Sequence, residues 1–209
     1  MENNENKMPI YQIVIDTMDS ETGLLRNSFV DDPAVEYTKL DFNKELLKMG
    51  KDDSQQKFMS VSLVADTVIP RLDGEGKLYG VVFTKESIND IVNNYMLSGN
   101  INEVSYQHTE EIIDGVYLVE HFITKKGIVE SPFFKDLPDG SWVTTYHVPD
   151  TEQYNKLKND ETFNGFSVEI SALLENYNYN SISIEDKIKS ILEEDISELE
   201  MENKIKELL

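Results

Sequence analysis

Apolar and polar residues change rhythm several times along the chain, and each change marks an element. Pro9 to Asp16, with Ile10, Tyr11, Ile13, Val14 and Ile15, is rich in β-branched and aromatic residues and reads as a strand. The turn-forming run Asp19-Ser20-Glu21-Thr22-Gly23 closes it. Ser28 to Val35 follows, where Pro33 forces Asp32 out of helical geometry, and Gly50 to Gln56 is a polar loop. Lys57 to Pro70 and Tyr79 to Phe83 read as strands. Thr84 then caps a helix over Lys85 to Ser98, with Ile88, Ile91, Val92 and Met96 on one face and Gly99 as its stop.

Glu103 to His108 and Val116 to Lys125 are strand-like runs separated by a loop ending in Asp114-Gly115, a pattern that predicts an antiparallel hairpin with a long connection. Ser141 to Val148 is a further strand behind the Pro138-Asp139-Gly140 turn. Asp150 with Gln153 three places on is a variant of the capping box, so Thr151 to about Asn159 is expected to be helical, and Phe163 to Leu174 returns as a strand. This order lacks the strict alternation of a parallel α/β sheet. The expected class is α+β: a mainly antiparallel β-barrel or sheet with packed helices, followed by an amphipathic C-terminal helix.

The boundary is placed at 177–181, a polar linker beginning Tyr177-Asn178-Tyr179, so that 1–176 forms one domain and 182–209 an acidic helical tail. In the tail Ile184, Ile188, Ile191, Leu192, Ile196 and Leu199 recur at helical spacing. Such a stripe has to be covered, either by the parent domain or by another chain, and oligomerisation through it is expected.

Charge narrows the partners. With 19 Lys and Arg against 40 Asp and Glu, the formal net charge is -21, which repels phosphate backbones and anionic lipid, so neither nucleic acid nor a membrane surface is an expected partner. The chain has no cysteine, which excludes disulfides, zinc–thiolate sites and cysteine nucleophiles and suits a reducing compartment. The polar, acidic run Met1 to Lys7 does not resemble a secretion signal, and no apolar stretch is long enough to span a bilayer.

Three histidines limit the bases available to a nucleophilic hydroxyl: His108, His121 and His147. Ser167 lies in Gly165-Phe166-Ser167-Val168-Glu169-Ile170, where Phe166, Val168 and Ile170 alternate with Ser167, Glu169 and Ser171, and the glycine relieves crowding beside the serine. A serine nucleophile needs a base, a group that orients the base, and donors for the developing oxyanion. The plainer reading makes Ser167, Glu169 and Ser171 the solvated face of a strand. The second glycine of the G-x-S-x-G elbow is missing. Metal-binding histidine pairs, an EF-hand spacing, a P-loop and a dinucleotide fingerprint are also missing, so no cofactor is expected.

Several segments in order resemble the prohead proteases of tailed bacteriophages, most closely the XkdF-like family of serine proteases. They are Ile10 to Asp16, Phe29 to Val35, Val82 to Ile88, Val104 to His108, Gly115 to Glu120, Gly140-Ser141-Trp142 and Gly165 to Glu169, which together span most of residues 9–170. The resemblance implies a fold related to the herpesvirus maturation protease and a serine endopeptidase that trims scaffold and major capsid protein. Its expected location is the host cytoplasm, inside the procapsid or virion. The family's histidine falls on His108 and its serine on Ser167. The third residue is open among Glu120, Glu169, His121 and His147, with Glu120 expected first, on the strand taken to pair with that of His108, and Glu169 second. The rival expectation is a non-catalytic virion or scaffold protein that keeps the fold and assembles through its tail.

Overall fold

The structure, a computed structural model, describes residues 8–16, 22–30, 50–129, 134, 137–160 and 163–177. The tail helix, most of the linker, the turn at 17–21 and the segment 31–35 lie outside them. The chain divides into two compact units, Met1–Glu175 and Asn176–Leu209.

The first unit is mixed α+β, built mostly from strands in three sheets, with two helices among the described residues. The strands are β1 (Ile10–Val14), β2 (Gly23–Val30), β3 (Gly50–Asp52), β4 (Lys57–Leu63), β5 (Val68–Leu72), β6 (Leu78–Val82), β7 (Val104–Tyr106), β8 (Tyr117–Ile123), β9 (Trp142–His147), β10 (Gly165–Ser171) and β11 (Leu173–Asn176). The sheet orders are β11-β1-β6-β5, β10-β2-β7 and β3-β4-β9-β8, and they do not close into a barrel. Pairs β1–β6 and β2–β7 are parallel, whereas β10–β2, β3–β4, β4–β9, β5–β6 and β8–β9 are antiparallel.

The predicted hairpin does not form, because β7 lies beside β2 while β8 lies beside β9 in another sheet. The antiparallel side of β7 is taken locally: Ser105 bridges Ile112, and Ile113 N–H donates to the Val104 carbonyl at 2.7 Å. Lys57 to Pro70 is two strands, split where Asp66 adopts φ 53° and donates its N–H to the Phe83 carbonyl at 2.8 Å.

Helix α1 (Lys85–Ser98) starts where Thr84 accepts from Ser87 N–H at 3.1 Å and stops at Gly99, whose φ of 85° suits a residue without Cβ. It buries Ile88, Ile91, Val92 and Tyr95 in a cluster with Ile13, Leu63, Val81 and Trp142; Met96 is only partly buried against it. Helix α2 (Thr151–Lys158) is capped by Asp150, which accepts from Gln153 N–H at 2.7 Å, and buries Tyr154 and Leu157. Those two belong to a second, aromatic cluster, in which Phe29 stacks on Phe163 and Phe166 with centroids 4.3 and 4.9 Å away. Because Phe29 and Phe166 are neighbours on adjacent strands, this cluster fixes the inner face of the β10-β2-β7 sheet and leaves its other face to polar residues.

Candidate functional site

The register places Ser167 directly across from Ser28, and Ser28 across from Ser105, a row of three hydroxyl residues over β10, β2 and β7. Period-two alternation puts Arg26 and Glu169, themselves a register pair, on the same face. This face is not a solvated one at its centre. Ser28 and Ser105 are fully buried and Ser167 is 9% exposed.

Glu169 organises the face. Its Oε1 is 3.2 Å from Ser28 Oγ, 3.3 Å from Ser105 Oγ and 3.4 Å from His108 Nδ1, while Oε2 is 3.0 Å from Arg26 Nε. The Arg26 approach is an ion pair whose angle falls short of a hydrogen bond. Ser28 and Ser105 are also 2.6 Å apart. Each hydroxyl has one hydrogen, so the two serines can satisfy at most two of their three mutual and carboxylate contacts at once.

His108 reaches this carboxylate because the chain turns sharply at the end of β7. Gln107 and His108 have φ of 50° and 56°, two consecutive left-handed residues that are not glycine. The turn is held by Gln107 N–H donating to the Phe29 carbonyl at 2.9 Å and by Thr109, whose N–H and hydroxyl donate to the Tyr106 carbonyl at 2.9 and 2.7 Å. A backbone conformation of this cost persists only where its surroundings enforce it, and such positions concentrate at functional sites.

With Nδ1 protonated and facing Glu169, the imidazole keeps the tautomer whose Nε2 carries a lone pair, the form required of a general base. No hydrogen bond joins His108 to Ser167. Ser167 also lines a cavity of about 300 Å³ that reaches between β10 and the sheet containing β5 and β6.

The remaining candidates lie elsewhere. Glu120, expected first as the orienting carboxylate, sits on β8 and pairs with Lys57 Nζ at 3.0 Å; the strand pairing that would have taken it to His108 is absent. His121 Nδ1 accepts from Trp142 Nε1 at 3.4 Å, and burial lowers its pKa, so it is held as a neutral acceptor in the β8–β9 sheet. His147 Nδ1 lies 3.3 Å from the Gln56 carbonyl. Of the four alternatives only Glu169 meets His108.

Sequence reasoning missed Arg26, Ser28 and Ser105. Ser105 stood three places before His108 in the same apolar run, and Ser28 just before Phe29-Val30, but neither spacing reveals that the two strands lie side by side. Among the described residues no group of three or more His, Cys, Asp or Glu side chains is placed to hold a metal, and no helix is long and apolar enough to cross a membrane. Comparison with protein-family models, curated proteins and solved structures finds no match to the chain.

Proposed function

We propose that the chain is a serine endopeptidase of the phage prohead type, with Ser167 as nucleophile, His108 as general base and Glu169 as the group that orients His108. Ser167 Oγ attacks a peptide carbonyl and passes its proton to His108 Nε2, which returns it to the leaving amine; water then hydrolyses the acyl-enzyme by the same route. The observation that carries this reading is the approach of His108 to Glu169, which brings an imidazole over the sheet face that also holds Ser167. The left-handed turn at Gln107 and His108 supports it further. Catalytic hydrogen bonds are often long in the unliganded state, and substrate binding has to close the distance between Ser167 and His108. The substrates are scaffold and major capsid protein, the setting is the procapsid, and the fold is of the herpesvirus-protease kind.

Co-expression with the scaffold and capsid proteins of its own genome tests this. Processing is expected with the native chain and is expected to vanish in Ser167→Ala and in His108→Ala. A fluorophosphonate should label the purified native chain and leave Ser167→Ala unlabelled; labelling that persists at another serine would move the nucleophile. The missing hydrogen bond between Ser167 and His108, together with the low exposure of Ser167, favours a second reading, a non-catalytic assembly protein with the same fold. Processing that is absent throughout, or indifferent to both substitutions, selects that reading.

A further inference from the structure

The cavity between β10 and the β5–β6 ladder is graded from a buried, apolar floor to a partly exposed mouth. On one wall Phe83 and the register pair Ile69 and Val81 are buried, while the next pair on that face, Arg71 and Tyr79, is partly exposed. The opposite wall is the apolar face of β10, where Phe166 is fully buried and Val168 and Ile170 are partly exposed. Glu169 and His108 do not line the cavity, so whatever it holds is separate from the chemistry proposed around them.

Arg71 is the one charged residue in the lining among the described residues. Its side chain donates to the adjacent Pro70 carbonyl, at 3.0 Å through Nη1, and pairs with no acid among the described residues. A guanidinium has five N–H donors in a planar fork, so most of its capacity is uncommitted. Burial works against its charge, and a carboxylate beside it would offset that cost while accepting two parallel hydrogen bonds.

From this grading we infer that the cavity binds a small aliphatic carboxylic acid, with its carboxylate on Arg71 at the mouth and its chain directed toward Val81 and Phe83. The volume of about 300 Å³ equals that of about ten liquid waters and so takes about ten non-hydrogen atoms, the number in octanoate. A peptide C-terminus offers the same head group, but its amide groups would be desolvated against mainly apolar walls. This site does not rest on the endopeptidase reading.

Calorimetry on the full-length chain with straight-chain acids from butanoate to decanoate tests the inference. Affinity is expected to rise about fourfold for each added methylene, the transfer value of one buried CH₂, and to level off near octanoate as the cavity fills. Octanoate should bind about 10- to 100-fold more tightly than octanol, the size of a charge-assisted interaction. Arg71→Gln, verified as folded by circular dichroism, should lower octanoate affinity by that factor and leave octanol unchanged. Isotope-filtered NOEs on the native chain, which need no variant, should join the terminal methyl of octanoate to Val81 and Phe83. Four results overturn the inference: no binding by any acid of the series, octanol binding as tightly as octanoate, octanoate affinity unchanged in folded Arg71→Gln, or NOEs that miss both Val81 and Phe83. An acetylated Leu-Leu dipeptide that binds more tightly than octanoate overturns it in favour of a peptide C-terminus. None of these readouts involves cleavage, so the endopeptidase reading stands or falls separately.

Discussion

Glu169 faces Arg26 across the β10–β2 ladder with 3.0 Å between Oε2 and Nε, and presents its other oxygen to His108. One carboxylate therefore serves both as counter-charge to a partly buried guanidinium and as acceptor for the imidazole, and the two duties can be separated. Glu169→Gln is expected to lower kcat by about 10²- to 10⁴-fold, the range seen when an orienting carboxylate is lost. It should also cost about 1–3 kcal/mol of stability, because Arg26 is left without its partner. Arg26→Met combined with Glu169→Gln removes the stranded charge, so urea unfolding should show stability partly regained while peptidase activity stays low. Activity that follows stability back up would reduce Glu169 to a structural role.

Much of the local structure was legible because its signals are local. Helix α1 occupies Lys85–Ser98 between Thr84 and Gly99 as the periodicity and caps predicted, and α2 begins after Asp150 as expected. Ser167 on a strand with Glu169 on its own face followed from alternation, as did an apolar opposite face. What stayed hidden depends on which strands are neighbours. Strand β2 was not foreseen, since Gly23 to Val30 mixes Arg26, Asn27 and Ser28 into an apolar run, yet it is the central strand of the candidate site. The contest between Glu120 and Glu169 turned on the same point. Both are carboxylates on strands, and only the pairing of β7 and β10 on either side of β2, with four strands and α1 lying between β2 and β7 in the chain, decides which one His108 meets.

The aromatic cluster under the site is expected to be the most sensitive part of the first unit. Phe29 is fully buried and touches four rings: edge-on to Phe58 and Tyr146, stacked on Phe163 and Phe166. Phe29→Ala should cost about 3–5 kcal/mol, as large-to-small changes of a buried aromatic do. A loss under about 1 kcal/mol in denaturant unfolding would mean that the cluster collapses into the space, or that it is not packed as described.

Gly140 joins the turn before β9 to helix α1 by proximity rather than by a bond. It has φ 87°, and a Cβ built there would lie 2.6 Å from Cγ and 3.3 Å from Cα of Lys85. Both the backbone conformation and the first turn of α1 oppose a side chain. Gly140→Ala is expected to destabilise by about 1–3 kcal/mol, the cost of holding a non-glycine residue in a sparsely populated backbone region. Gly74, with open space around it and no positive φ, is the control: Gly74→Ala should be near neutral or slightly stabilising in the same unfolding measurement.

Beneath these layers, Tyr95 Oη donates to the Asn100 carbonyl at 3.3 Å, and Asn27 Nδ2 donates to Tyr146 Oη at 2.7 Å. Burial pushes the Tyr95 phenol up to about 12 and raises that of Tyr146 as well. The unfolded chain releases these protons from about pH 10, while the folded chain keeps them, so the native state binds more protons above that pH. Stability is therefore fully present below about pH 10 and falls as the pH rises toward the folded values, by up to about 1.4 kcal/mol per pH unit for each tyrosine. Urea midpoints measured from about pH 9 to pH 11 should show this decline. Lysines titrate in the same window, so the comparison that decides is with Tyr95→Phe/Tyr146→Phe. That variant should be weaker at neutral pH by about 1–3 kcal/mol, since Asn27 loses its acceptor, yet flatter in alkali. An alkaline slope equal to that of the native chain would show that these two phenols do not govern it.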